Sequence, residues 1–188
     1  MTKTSIKPGT YLYPIPAVLV TCGPVAKPNI ITLAWVGTVC SDPPMVSIGI
    51  RRSRFSNALI RQHGEFVVNL PTAEMVWVTD YCGVVSGQAI DKFAATGLTA
   101  APAKVLGTVV IAECPVNIEC QVTHMLSLGS HDLFLGKVVA VQADESVLDG
   151  QGGIDLSKTT PLAYGADAYW GVGEQLGTYG FSAKAAKA

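Results

Sequence analysis

The chain has 188 residues, of which 49% are apolar and 14% are charged, and its formal net charge is −1. This length suits one domain, residues 1–188, with a well-buried core. A nearly neutral chain lacks the broad basic excess of nucleic-acid-binding proteins, so that class is excluded. The scarcity of charge also predicts that part of the surface is covered, most simply by a second copy of the chain in a homodimer.

The five cysteines are scattered and odd in number, and none has the spacing of a metal-ligand pair. We therefore expect reduced thiols, a cytoplasmic location and no bound metal. No apolar run reaches the ~18 residues that a membrane-spanning helix needs, so no membrane partner is expected. Pro14 and Pro16 interrupt the apolar segment near the N-terminus, which disfavours a lipoprotein signal there.

Apolar, β-branched segments dominate the chain and predict a mostly β fold. Several of them are bounded by turn sequences, such as "SDPP" at 41–44 and "LGSHD" at 128–132. The predicted strands cover residues 17–22, 30–40, 44–50, 65–70, 105–112, 115–128 and 132–143.

Short helices interrupt the predicted strands. The first begins after Ser53, a natural N-cap, and ends at Gly64. The second is predicted over residues 72–83 and the third over residues 86–97. Many antiparallel strands with few helices favour a β-barrel carrying helical additions over an alternating β-α-β sheet.

All four arginines of the chain, Arg51, Arg52, Arg54 and Arg61, lie where an apolar strand gives way to the first helix. We call these four residues the arginine cluster. The free N–H groups and the dipole of the first helical turn favour an anion, and guanidinium groups match a phosphate in bidentate geometry. The cluster therefore predicts binding of a small phosphate ester. The alternative is a solvated helix start whose arginines pair with nearby carboxylates.

Four blocks of the sequence resemble, in order, the flavin reductase-like family of FMN-binding split barrels. The first, residues 29–60, matches a strand of the form N-x-x-T-x-A-W, then a turn, an apolar strand and an Arg/Ser corner. The others are "CGVVSGQAIDKFAATGL" (82–98), "GSHDLFLGKV" (129–138) and "PLAYGADAYWGVG" (161–173). Within the family, the "AYW" ending looks closest to the flavoredoxin branch.

The resemblance implies a Greek-key split β-barrel that forms a homodimer with FMN near the subunit interface. It also implies electron transfer from NADH or NADPH, or from a redox partner protein, through FMN to free flavin, ferric iron or a protein acceptor. The residues that it implies for FMN binding are Asn29, Thr32, Trp35, Thr38, Cys40, Ser41, Arg51, Ser53, Ser56, Ser86, Lys92, His131 and Tyr164.

Two of these residues are expected to take part in the reaction. Lys92 would place a cation near the pyrimidine end of the flavin ring, where it stabilises negative charge on reduction. Its alternative is an ion pair with Asp91 or Glu74. His131 would line the ring or orient an incoming nicotinamide, and its alternative is a hydrogen-bonded structural histidine.

Aromatic residues are expected to supply a flat wall for the flavin ring. Trp35 or Tyr164 could stack on it. The alternative for Trp35 is a contact in the core or at the dimer interface.

Two other functions stay open from the sequence. The first is an electron carrier that holds FMN tightly and has no NAD(P)H activity, since nicotinamide binding depends only on the resemblance. The second is a flavin- or haem-binding sensor or store, for which His131 is the candidate axial ligand. The chain has no G-x-G-x-x-G fingerprint, although the family does not use one.

Overall fold

Twelve β-strands and four α-helices make up the part of the chain that the computed structural model describes, residues 1–185. The strands are β1 (Ile15–Pro16), β2 (Val18–Cys22), β3 (Asn29–Leu33), β4 (Val36–Ser41), β5 (Pro44–Arg51), β6 (Glu65–Leu70), β7 (Ala100–Pro102), β8 (Val109–Ile111), β9 (Val116–Leu128), β10 (His131–Ala143), β11 (Leu162–Gly165) and β12 (Ala168–Gly171). The helices are α1 (Phe55–His63), α2 (Val76–Val84), α3 (Lys92–Thr96) and α4 (Phe181–Ala185). The predicted mostly β fold with a few short helices is confirmed.

Seven strands form one antiparallel sheet in the order β3-β2-β6-β9-β10-β5-β4, and two smaller sheets have the orders β1-β11-β12 and β7-β8. β4 follows β3 directly along the chain, yet the two strands occupy opposite edges of the large sheet. Only Ala34 and Trp35 separate them, and this connection spans at most about 11 Å. The sheet must therefore curl until its two edges approach each other, which makes it a barrel with an open seam.

Two strands show how the sequence places the core. β2 lies between β3 and β6, and all five of its residues are buried, as expected for a continuous apolar strand covered on both faces. In β5 the apolar side chains alternate, so Val46, Ile48 and Ile50 enter the core. Each fully buried aliphatic side chain contributes roughly 1.5–3 kcal/mol. This alternation fixes the register of β5 and leaves Arg51 exposed at its end.

Two predicted strands are shorter than expected. The segment 30–40 bends at Ala34 and Trp35 and is divided into β3 and β4. The segment 105–112 is a strand only in β8. The buried carboxylate of Glu119 accepts the backbone N–H groups of residues 104–106, which holds them in a loop.

The N-cap of the first helix is one residue later than predicted. Arg54 occupies the N-cap position of α1 without a side-chain hydrogen bond, so the prediction of Ser53 as the cap was wrong. The predicted end is confirmed, because Gly64 adopts the left-handed conformation with φ 69° and donates its N–H to the carbonyl of Ile60.

The second and third helices are also shorter than predicted. A 3-10 turn over Ala73–Met75 precedes α2, which continues one residue past Gly83. The third predicted helix contains only α3, whose cap is Asp91, a carboxylate that accepts the N–H of Ala94 at 3.2 Å. Among the described residues, no helix is long and apolar enough to cross a membrane.

Candidate functional site

The arginine cluster lies where β5 meets α1, and the structure divides it into two pairs. The Nε of Arg52 is 3.1 Å from Oδ1 of Asp132, and the Nη2 of Arg61 is 2.9 Å from its Oδ2. Arg51 and Arg54 form no ion pair within residues 1–185 and line a cavity instead. The carboxylate-pairing alternative is therefore correct for Arg52 and Arg61, whereas Arg51 and Arg54 are available to an anion.

Asp132 is fully buried and satisfied by four side chains. Besides the two arginines, it accepts hydrogen bonds from Nδ2 of Asn57 at 2.9 Å and from the hydroxyl of Ser127 at 3.1 Å. The hydrogen bond from Arg61 is the largest cause that holds the pKa of this carboxyl well below its usual range, against the effect of burial. Asp132 therefore stays ionised and anchors one half of the cluster.

A cavity of about 350 Å³ opens beside Arg51 and Arg54, and we call it the corner cavity. Three cations line it, the third being Lys92, and no carboxylate is among its described lining residues. Its local potential therefore favours an anion, although the chain as a whole is nearly neutral. The corner cavity brings together six of the predicted site residues: Asn29, Arg51, Ser53, Ser56, Ser86 and Lys92.

Two of these residues form a buried polar pair at the back of the corner cavity. Nδ2 of Asn29 donates a hydrogen bond to Oγ of Ser56 at 2.7 Å, and both residues are more than nine-tenths buried. The Oδ1 of Asn29 accepts no hydrogen bond within the described residues. This oxygen is not among the fully buried unpaired atoms of the described residues, so it is open to the cavity and can accept a hydrogen bond from a polar ligand there.

Lys92 begins α3 and is almost fully buried. Its Nζ donates hydrogen bonds to the backbone carbonyls of Ile30 and Cys82, each at 2.7 Å. An ammonium group has three N–H donors, so one is left for a ligand. Burial is the main cause that lowers the pKa of Lys92. Within the described residues it pairs with neither Asp91 nor Glu74, and it lies in the same cavity as Arg51.

A second cavity, of about 610 Å³, contains Trp35 and His131, and we call it the aromatic cavity. The two ring centroids are 4.5 Å apart and the rings are tilted by 38°. Nδ1 of His131 lies 2.8 Å from the hydroxyl of Ser130. Burial and the nearby charge of Arg51 lower the pKa of His131, so the neutral imidazole is favoured near neutral pH.

A third cavity, of about 250 Å³, contains Thr32 and Tyr164, and we call it the tyrosine cavity. The hydroxyl of Thr32 donates to the carbonyl of Thr79, and the hydroxyl of Tyr164 donates to Oδ1 of Asp167 at 3.2 Å. This cavity shares Gly83 with the corner cavity and Ala34 with the aromatic cavity. The corner, tyrosine and aromatic cavities therefore follow one another along β3 and the bend after it.

The remaining predicted site residues, Thr38, Cys40 and Ser41, lie further along β4. None of the three is among the described lining residues of the corner, tyrosine or aromatic cavities. The thiol of Cys40 donates to the carbonyl of Asp42 at 3.4 Å. The contact of these residues with a flavin ring stays a prediction.

Sequence reasoning missed two residues that shape the site. Asp132 had one available signal, because it is the one carboxylate of a mainly apolar predicted strand, residues 132–143, in a chain whose four arginines could pair with it. Gly87 had none. A Cβ at Gly87 would lie 1.9 Å from Oδ1 of Asn29, so glycine is needed by a contact between segments that are distant in sequence.

Comparisons with known proteins identify the family and the fold of this chain. The model of the Flavin reductase like domain matches residues 10–173. Flavoredoxin of Desulfovibrio vulgaris (Miyazaki F) has a TM-score of 0.90 and 33% identity, and the match covers 97% of this chain and 100% of that one. For flavoredoxin from Methanosarcina acetivorans the TM-score is 0.89 and the identity 32%, with the same coverage of 97% and 100%. The FMN reductase (NADH) RutF of Stutzerimonas stutzeri is 25% identical over 133 residues, which are 69% of this chain and 71% of that protein.

The family match extends over all four sequence blocks on which the resemblance was based, from the strand at Asn29 to the segment 161–173. The structural matches confirm the split-barrel fold, because they cover nearly the whole chain at high TM-score. The chain belongs to the flavin reductase-like family.

Proposed function

We propose that this chain binds FMN with its phosphate in the corner cavity and acts as an NAD(P)H-dependent flavin reductase-like oxidoreductase. The observation that carries the proposal is the chemistry of that cavity. Arg51, Arg54 and Lys92 supply three cations, Ser53 and Ser56 supply hydroxyl groups, and no described carboxylate lines the wall. Such a set matches a phosphate monoester at the start of a helix.

The residues of the other two cavities support the same cofactor. The tyrosine and aromatic cavities follow the corner cavity along β3 and the bend at Ala34 and Trp35. Tyr164 and Trp35 there offer flat apolar walls for a flavin ring. The Oδ1 of Asn29 accepts no hydrogen bond within the described residues and is not fully buried, so it can accept one from a hydroxyl group of the ribityl chain.

Bound FMN supplies the redox chemistry, with hydride from NADH or NADPH and onward transfer to flavin, ferric iron or a protein acceptor. The protein's own residues bind and orient. Arg51 and Lys92 hold the phosphate, and Lys92 keeps a positive charge close to the cofactor. The neutral His131, whose Nδ1 is engaged by Ser130, presents Nε2 to the carboxamide of an incoming nicotinamide.

A homodimer and a cytoplasmic location belong to this proposal. Trp35, Leu126 and Leu128 are 46%, 48% and 60% exposed, which is unfavourable for large apolar side chains unless a second copy covers them. Trp35 and Leu128 also line the aromatic cavity. All five cysteines are free thiols, as a reducing compartment maintains them.

A second candidate function is an electron carrier that holds FMN but does not react with nicotinamide nucleotides. The 33% identity to a flavoredoxin over nearly the whole chain favours it. The corner cavity serves both functions equally, so the difference lies in whether a nicotinamide reaches the flavin.

An anaerobic absorbance experiment tests the proposal. The purified protein should absorb near 450 nm, and addition of NADH or NADPH should bleach that band within about a second, as expected for typical enzyme turnover. A band that bleaches only with dithionite would support the electron carrier. Protein that is colourless and binds no added FMN would contradict the assignment of the corner cavity.

A further inference from the structure

One surface of the molecule combines exposed apolar side chains with carboxylates. It consists of α2 with the 3-10 turn before it, residues 73–84, and of the hairpin of β11 and β12, residues 162–171, and we call it the acidic face. We propose that the acidic face docks a redox partner protein with a basic surface, to which reduced FMN passes its electrons. The inference rests on the proposed function, because it requires FMN in the adjoining cavities.

The outer side of α2 is apolar although it is exposed. Trp77, Tyr81 and Val84 follow one another at helical spacing, so they share one side of the helix. The rings of Trp77 and Tyr81 stack with their centroids 5.2 Å apart and an angle of 16° between their planes. Trp77 is 62% exposed and Val84 is 67% exposed. Exposed aromatic surface of this kind is typical of protein contacts, in which Trp and Tyr contribute much of the binding energy.

The same surface carries negative charge without positive charge. The segments 64–91 and 159–183 contain six carboxylates and no lysine, arginine or histidine, in a chain whose net charge is only −1. Glu74, Asp80 and Asp167 belong to the acidic face, are exposed, and form no ion pair within the described residues. The potential over this face is therefore negative, whereas that of the corner cavity is positive.

The two parts of the acidic face are joined and adjoin the proposed position of the flavin. A β-bridge between Thr72 and Pro161 connects their segments. Asp80 of α2 lines the tyrosine cavity together with Tyr164 and Asp167 of the hairpin. The tyrosine cavity follows the corner cavity, which takes the FMN phosphate in the proposed function. A protein docked on the acidic face therefore lies beside the flavin, as electron transfer requires.

A second copy of this chain is a poor occupant of the acidic face. A twofold interface sets the same surface of both copies against each other, so Glu74, Asp80 and Asp167 would face like charges. A basic surface instead has complementary charge, which speeds the encounter. In the reaction, fully reduced FMN gives up two electrons and two protons. Two oxidised partner molecules take one electron each in turn, and the protons pass to water.

Electron transfer to a basic haem protein, horse cytochrome c, tests the proposal. The full chain, in excess over FMN and reduced without oxygen by one equivalent of dithionite, should reduce cytochrome c. Its second-order rate constant should fall at least about tenfold between roughly 20 and 500 mM salt, because the opposite charges are screened. Ferricyanide, a small anion that needs no docking surface, is the reference acceptor.

Two variants at exposed positions locate the contact. Glu74→Lys should slow the reduction of cytochrome c about threefold to tenfold at low salt, because it reverses a charge at the interface. Trp77→Ala should slow it by a similar factor while keeping the salt dependence, because it removes apolar contact area. Neither variant should slow the reduction of ferricyanide. Glu145→Lys, the same change at an exposed glutamate outside the acidic face, is the matched control and should have almost no effect.

Four results would overturn the proposal. The rate constant with cytochrome c could be independent of salt, or Glu74→Lys and Glu145→Lys could react equally fast. The variants could slow ferricyanide and cytochrome c alike, which would place their effect at the flavin. Trp77→Ala could change the oligomeric state in size-exclusion chromatography, which would assign the face to a second copy. Protein that binds no FMN would overturn the proposed function itself, so the two failures are distinguishable.

Discussion

The two halves of the arginine cluster have the same side-chain chemistry but different surroundings. Arg52 and Arg61 bind the fully buried carboxylate of Asp132, at 3.1 and 2.9 Å. Arg51 and Arg54 have no carboxylate partner in the described chain and line the corner cavity. One aspartate thus decides which arginines stabilise the fold and which are available to a ligand.

The paired half also positions the free half. Asp132 is the second residue of β10, and its partners come from the turn after β5, from α1 and from β9. These contacts fix the turn between β5 and α1, which carries Arg51 and Arg54. Loss of the paired half should therefore lower stability first and ligand affinity second, whereas loss of the free half should affect affinity alone.

The largest expected effect is on the free half. The double substitution Arg51→Ala and Ser53→Ala should weaken FMN binding by about 2–5 kcal/mol, because charge-assisted hydrogen bonds to the phosphate are lost. Its free energy of unfolding without ligand should change by less than about 0.5 kcal/mol, as for exposed residues without partners. Flavin titration and urea unfolding measure the two quantities. An unchanged dissociation constant for FMN would show that the phosphate does not bind in the corner cavity.

Asp132→Asn tests the paired half. It should lower the free energy of unfolding by about 2–4 kcal/mol, because the buried donor of Asn57 and the hydroxyl of Ser127 are left with a poorer acceptor and two arginines lose their counter-charge. Urea unfolding measures this loss. Asp144→Asn, at an exposed aspartate whose side chain makes no cap, is the matched control and should have almost no effect. Equal stability of the two variants would contradict the anchoring role.

The same carboxyl predicts a dependence on pH. The pKa of Asp132 is lower in the folded protein than its ordinary value of 3.8, so the unfolded chain binds more protons between the two values. The stability that Asp132 contributes is thus complete above the ordinary value and is lost as the pH falls towards the folded value. The difference in unfolding free energy between wild type and Asp132→Asn should shrink on acidification through this range. A constant difference would show that the carboxyl is not ionised in the fold.

The sequence predicts the strand that leads to the cluster because the pattern is local. Alternation in β5, a turn and the amphipathic start of α1 all lie within residues 44–64. The division of the cluster is not local, since it depends on the antiparallel register that sets Asp132 of β10 opposite Ile50 of β5. Composition and periodicity carry no information on that register.

The break in the segment 30–40 was missed for a related reason. The residues from Ile30 to Cys40 are almost all apolar or β-branched, and no glycine or proline marks the bend at Ala34 and Trp35. The bend is imposed by closure of the barrel, because β3 and β4 lie at opposite edges of one sheet. Closure is a property of the whole sheet, and it also decides which cavity each predicted site residue reaches.

Lys92 gives the smallest predicted effect, because it lies beside the free half without being part of it. The resemblance implies a place near the pyrimidine end of the flavin, where Lys92→Met would leave FMN affinity unchanged and lower the reduction potential. Its place in the corner cavity predicts instead that Lys92→Met weakens FMN binding about tenfold at neutral pH.

The pH profile separates these two positions of Lys92. Burial lowers its pKa below the ordinary 10.5, so FMN affinity of the wild type should fall as the pH rises through the lowered value, while the variant shows no such fall. In the same range the unfolded chain binds more protons than the folded one, so the stability of the ligand-free wild type should rise with pH relative to Lys92→Met. Titrations at several alkaline pH values, with Lys104→Met as the control, measure both trends. Parallel affinity profiles for wild type and Lys92→Met would show that the ammonium does not contact the phosphate, and would support the position near the flavin ring instead.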